Sequence, residues 1–232
     1  WMYIFYKKLP ESRRLTLYTF LIGATAVIPI LFYKYMWQFF PWINAFQYTD
    51  GFAQDIICIK NFIQIPLSVL FTFLIVGIIE EIMKNVAVRV VDDQTTTRDI
   101  DDAIALSIVA ALGFSFTENI MYFHSIWIQE GPANLLLPFI FRSIFSTFAH
   151  VMFSAIFGYF YGISFFAKGY LIENRRKVKW PRILQNIFGI QKEEIFSISK
   201  WVEGLIIATT LHAIYNIFLE MNWTFMLVPF LM

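Results

Sequence analysis

Two adjacent glutamates, Glu80 and Glu81, interrupt a long apolar run, and Lys84 follows them. The same kind of interruption recurs downstream: Glu118 beside Asn119, Arg142 ahead of His150, and His212 four residues before Asn216. Carboxylates and imidazoles are the side chains that move protons near neutral pH. A carboxylate in a dry cavity can take a proton from water, and a histidine can orient that water or protonate a leaving amine. A second histidine with an asparagine can donate hydrogen bonds to a developing oxyanion. The chemistry that suits this set is activation of water for hydrolysis.

Each group also has a plainer explanation. Glu80 and Lys84 are four apart, share a helix face and could simply form an ion pair. Glu118 and Asn119 could serve helix–helix hydrogen bonding. Arg142 could pair with a carboxylate or reach toward the membrane surface. His124 reads as structural, and Ser143, Ser146 and Thr147 read as small packing residues. A purely structural bundle, however, has no reason to spend four helices on such groups at similar depth.

Metal binding is the alternative chemistry. Glu81, His150 and His212 would make a zinc set with water in the fourth place. There is no His-Glu-x-x-His signature, and the ligands would come from separate helices. The spacing therefore favours a metal-free site, with zinc as the other option. The single cysteine, Cys58, excludes an internal disulfide and a cysteine zinc cluster.

The elements that must position these groups follow from composition. The chain has 232 residues, 58% of them hydrophobic and only 15% charged, with 27 phenylalanines and a mean hydropathy of +0.61. That excess over ordinary soluble domains makes the bilayer the natural solvent. The expected fold is all-α: a polytopic transmembrane helix bundle with roughly six spans and an interfacial segment. Five apolar stretches are long enough to span: about 15–33, 62–88, 103–127, 135–166 and 201–219. A sixth begins near Trp223, and the aromatic segment 35–61 reads as interfacial. The whole chain, 1–232, reads as one membrane domain with no repeats. The apolar start at Trp1 reads as the tail of a truncated earlier span.

Charge sets the expected orientation. Lys7, Lys8, Arg13, Arg14, Arg89, Arg98 and the basic loop at about 168–200 fall on one side, and only Lys34 and Lys60 on the other. The positive-inside rule makes the first side cytoplasmic. Net charge is +1 and names no partner. Placing ionisable groups in these spans costs roughly 2.5–3.5 kcal/mol each on insertion scales, so they must meet in a shared polar interior.

The same residues carry a family resemblance. Glu80-Glu81-Ile82-Met83-Lys84 resembles the EExxK motif of the PrsW family of intramembrane proteases. Phe114 through Glu118-Asn119 is similar to its FxxxEN motif, and Arg142 through His150 to Gly158-Tyr159 to its Arg, His and Gly-Tyr helix. His212 through Asn216 is similar to the last His and Asn element. Each motif is weak alone; four in order over nearly the whole chain are specific.

The family is grouped with type II CAAX prenyl proteases and self-immunity proteases, and the scaffold subunit of γ-secretase is a distant relative. The resemblance implies an intramembrane endopeptidase making a site-1-type cut in a membrane-anchored protein, anti-sigma factors being the best-known substrates. It implies a bacterial-type plasma membrane and no nucleic-acid partner. It further implies that Glu80 and Glu81 supply the general base and that Glu118, His150, His212 and Asn216 complete the catalytic set, supported by Lys84, Asn119 and Arg142. Members often carry an acidic, Pro-rich stretch before the first span, where this chain has Lys8-Leu9-Pro10-Glu11-Ser12-Arg13-Arg14. Two other classes stay in view: a proton- or ion-coupled transporter, since intramembrane carboxylates and histidines also build proton relays, and a non-catalytic scaffold.

Overall fold

Pro66 and Asp92 bracket the helix that carries the glutamate pair. Proline has no N–H to lose at a helix start, so Leu67 opens α3 (Leu67–Val91), and Asp92 turns to extended backbone and ends it. The computed structural model describes residues 13–59, 63–92, 97–173 and 192–221. Around α3 stand α1 (Arg13–Thr25), α2 (Ile28–Met36), α4 (Ile100–Gln129), α5 (Leu136–Phe141), α6 (Thr147–Glu173) and α7 (Lys192–Glu220). A single π-helical turn, Arg142–Ser146, joins α5 to α6. The expected membrane bundle of helices is what forms.

Four segments are long and apolar enough to cross a membrane: Arg13–Met36, Ile100–Gln129, Pro132–Phe166 and Glu194–Glu220. They match four of the five expected stretches. The remaining one, α3, has 25 residues, a sufficient length, but Glu80, Glu81 and Lys84 make it too polar to join those four by composition. The sixth stretch, from Trp223, and most of the basic loop lie outside the described residues.

Packing runs α1 on α4, α4 on α6, α6 on α7 and α7 on α3, so the four charge-bearing elements are neighbours. The core between them is built from Val88, Leu106, Ala110, Phe114, Phe153, Phe157 and Ala208. Backbones approach closely where side chains are missing, the usual device when lipid gives helices no hydrophobic reason to associate. A Cβ on Gly113 would run into the carbonyl oxygen of Phe20 on α1. Gly113→Ala should therefore push α1 off α4 and cost about 1–3 kcal/mol, as overpacking does; thermal unfolding in detergent micelles would read it.

Two polar ties fix the far end of α3. Asp92 accepts a hydrogen bond from the Tyr161 hydroxyl of α6 at 2.5 Å and another from Thr97. Asn85 Oδ1 accepts from Trp201 Nε1 of α7 at 3.1 Å. α4 starts on an Asp cap: Asp99 accepts from the Asp102 N–H at 2.9 Å, the placement that satisfies an orphan donor at a helix N-terminus.

The aromatic segment folds into short 3₁₀ turns over Pro41–Phe52, held by Tyr33, whose hydroxyl donates to Ile43 O at 2.7 Å and accepts from Ala45 N at 3.1 Å. An antiparallel hairpin of β1 (Ile56–Ile59) and β2 (Ile63–Pro66) then leads into α3. The segment was expected only as an interfacial run. Its hairpin was not foreseen, because Ile56-Ile57-Cys58-Ile59 lacks the alternation that marks a half-buried strand.

Candidate active site

Glu81 and Lys84 are one helical turn apart on α3, and both are almost wholly buried. The Lys84 ammonium donates to Glu81 Oε1 at 2.7 Å. The expected partner was Glu80, by i,i+4 spacing; the pair that forms is Glu81–Lys84. The reason lies outside α3. Lys84 Nζ also meets His150 Nδ1 of α6 at 2.8 Å and lies 4.9 Å from the centre of the Phe114 ring. These contacts pull the lysine toward the bundle interior, where Glu81 also points.

α7 closes the other side. His212 Nδ1 is 2.9 Å from Glu81 Oε1, and its Nε2 is 3.6 Å from Glu80 Oε2. Phe153 stacks on the His212 ring at 5.4 Å, and the two imidazoles meet edge to face at 5.2 Å. From α4, Glu118 Oε2 reaches His150 Nε2 at 2.9 Å, an ion-pair distance without hydrogen-bond alignment. Glu118 Oε1 takes the Arg142 guanidinium at 2.8 Å.

Arg142 is held on three sides. Its Nε donates to Asn119 Oδ1 at 2.9 Å, and its guanidinium lies 4.2 Å over the Tyr122 ring. Asn119 in turn donates to Thr147 Oγ1 at 3.1 Å. The π turn carries Arg142 one extra residue round the helix before His150, and such turns are frequent at functional sites.

The seven side chains form a floor and a rim. The side chains of Glu81, Lys84, His150 and His212 are 1%, 3%, 5% and 2% exposed, whereas those of Glu80, Arg142 and Glu118 are 15%, 18% and 29% exposed. The floor is an alternating chain of acceptors and donors: Glu81, Lys84, His150. On the rim, Glu80 Oε2 and Glu118 Oε2 are buried oxygens with no hydrogen-bond partner among the described residues. Unpaired buried carboxylate oxygens are costly, so each invites a donor or a cation.

The sequence of the chain matches a known family, the "PrsW family intramembrane metalloprotease", over residues 11–232. The chain belongs to this PrsW-protease family. It is also similar to "Protease PrsW" of Geobacillus kaustophilus (strain HTA426), 26% identical over 179 residues, which is 77% of this chain and 64% of that protein. The chain thus spans less than two thirds of that relative's length. No solved structure matches it. PrsW membership and the four apolar segments make it an integral membrane protein.

The PrsW description raises a metal. Glu80, His150 and His212 each offer one ligand atom, all within 4.8 Å of one another. Two imidazoles and a carboxylate are a zinc-type donor set, and the unpartnered Glu80 Oε2 suits a cation. The set therefore fits by type and proximity. The carboxylate, however, is Glu80, where the sequence suggested Glu81. Glu81 already accepts from Lys84 and His212, so it stands behind the cluster.

Of the sequence-selected residues, the structure brings together Glu80, Glu81, Lys84, Glu118, Asn119, Arg142, His150 and His212. Asn216 is half-buried one turn beyond His212 and makes no hydrogen bond or ion pair among the described residues. His124 is exposed near the end of α4, away from the cluster. Sequence reasoning missed Phe114 and Tyr122 as ring partners of Lys84 and Arg142, and it read Thr147 as packing. Tyr122 was findable, one turn beyond Glu118 and Asn119 on α4. Thr147 bonds Ser115 and Asn119 through the π turn, which has no sequence signal.

Proposed function

We propose that this protein is an intramembrane endopeptidase that hydrolyses a peptide bond of a membrane-anchored protein. The observation that carries the reading is the convergence of Glu80, Glu118, His150 and His212, from four separate helices, on one cluster in which the histidines are buried and Glu80 and Glu118 are partly exposed. A structural ion pair would not need two histidines and three carboxylates; hydrolysis needs a base for water and an acid for the leaving amine.

Glu80 is the base. Its Oε2 accepts no hydrogen bond among the described residues and faces His212 Nε2 at 3.6 Å, whereas Glu81 is occupied and orients His212. The water oxygen adds to the scissile carbonyl carbon while its proton passes to Glu80. The carbon–nitrogen bond then breaks as the amine takes a proton from His150. Arg142 holds Glu118 at the rim beside His150. Asn216, half-buried one turn beyond His212, is assigned no step in this scheme. The substrates are single-pass proteins of the anti-sigma-factor type, cut site-1 fashion in a bacterial-type plasma membrane, and the positive-inside pattern supports basic loops on the cytoplasmic side.

A zinc-dependent reading has its own support in the Glu80, His150 and His212 cluster. Bound there, zinc would polarise the carbonyl and lower the pKa of bound water. A transporter is disfavoured by the lack of internal repeats, and a scaffold by the retention of every glutamate.

The test is cleavage of a single-pass reporter by purified protein in proteoliposomes, with and without a chelator. The metal-free site predicts unchanged cleavage, within about twofold, after chelation. Loss that zinc restores would assign the site to the metal, and absence of cleavage under both conditions would contradict the protease reading.

A further inference from the structure

We infer that Lys84 fixes the two pocket histidines in opposite ring tautomers. The inference deepens the hydrolytic reading of the pocket and rests on it only for its consequence. The hydrogen-bond polarity follows from the geometry with Lys84 as an ammonium.

A lysine ammonium has donors and no acceptor. Lys84 Nζ is 2.8 Å from His150 Nδ1, so that nitrogen must offer its lone pair, and the ring proton must sit on Nε2. His150 Nε2 faces Glu118 Oε2, which is able to receive that proton's attraction. Glu81, paired with the Lys84 ammonium, is a carboxylate and can only accept. His212 Nδ1, 2.9 Å from Glu81 Oε1, must therefore carry the proton, which leaves the lone pair on Nε2 toward Glu80. One lysine thus sets both rings: directly at His150, and through Glu81 at His212. All three side chains of this chain, Glu81, Lys84 and His150, are buried, so no bulk water competes for these bonds.

The opposite tautomers divide the work. His212 presents a lone pair on the Glu80 side, where a water proton must be taken. His150 presents an N–H on the Glu118 side, where an amine must be protonated. The proton that Glu80 took from water replaces the one that His150 Nε2 gives to the amine, so the count closes and the ring tautomer is restored. Lys84 is a positioning residue and touches no substrate. The same polarity bears on the metal: a cation on His150 must take the Nδ1 lone pair from Lys84 or displace the Nε2 proton that faces Glu118.

The chain has only three histidines, which makes the rings separable by nitrogen NMR. Protein labelled at the imidazole nitrogens, in lipid bilayers, should show His150 protonated on Nε2 and His212 protonated on Nδ1. Lys84→Met should move the His150 Nδ1 resonance to that of an unbonded nitrogen and leave exposed His124 unshifted. A His150 protonated on Nδ1, a His212 protonated on Nε2, or a His150 Nδ1 indifferent to Lys84→Met would overturn the inference. If that variant does not fold, the protonated nitrogen of each ring in the wild-type spectrum decides. The expected spectrum in a protein that cleaves nothing would leave the ring assignment standing and sink the protease reading.

Discussion

Lys84→Met is expected to lower the stability of the protein by about 3–5 kcal/mol, the usual cost of stripping one partner from a buried ion pair. Glu81 is 1% exposed in its side chain and would keep a charge with no cation at its 2.7 Å neighbour position. His150 Nδ1 would also lose its donor. The loss comes mostly from the orphaned carboxylate rather than from the attraction itself, since desolvating both ions offsets much of the Coulomb gain. A second substitution separates the two. Glu81→Gln added to Lys84→Met removes the orphan charge, and the amide oxygen can still accept from His212 Nδ1. The double variant should recover most of the lost stability, read by reversible unfolding in detergent. Equal destabilisation of the single and double variants would refute this explanation.

His212→Gln is expected to reduce cleavage by about 10²–10⁴-fold, the range for loss of a positioned acid–base group. The ring is 2% exposed, donates to Glu81 and faces Glu80, and no glutamine rotamer can serve both neighbours in the same way. Phe153, stacked on the ring at 5.4 Å, would keep the glutamine side chain in place, so the fold should survive better than the activity. His124→Gln supplies the control. That histidine is exposed and outside the pocket, and its replacement should leave turnover within about twofold. Comparable losses in both variants would place the effect in the fold rather than in the chemistry.

Much of the pocket was legible because of what lipid forbids. Ionisable side chains on apolar helices must turn toward one another, so Glu81, Lys84, Glu118, Arg142, His150 and His212 could be grouped without coordinates. Their pairing could not. Spacing along α3 suggested Glu80 for Lys84, but the lysine is drawn to Glu81 by His150, which lies on another helix and 66 residues away. The same displacement moved the metal-type carboxylate from Glu81 to Glu80. Asn216 shares a helix face with His212 and is half-buried one turn beyond it. The π turn at Arg142–Ser146 depends on how α5 and α6 meet around Asn119 and Thr147, a tertiary condition with no local signature. The spans themselves followed from composition, except that α3 is longer in charge than in apolarity, the cost of carrying the pocket floor.

The central claim is that Glu80 activates water for peptide hydrolysis inside the membrane. It is tested most directly by mass spectrometry of a single-pass substrate, co-reconstituted with the protein in water enriched in oxygen-18. Wild-type protein should yield two fragments, the new carboxyl terminus carrying one heavy oxygen, while a folded Glu80→Gln variant should leave the substrate intact. Fragments of equal yield from the Glu80→Gln variant would contradict the assignment.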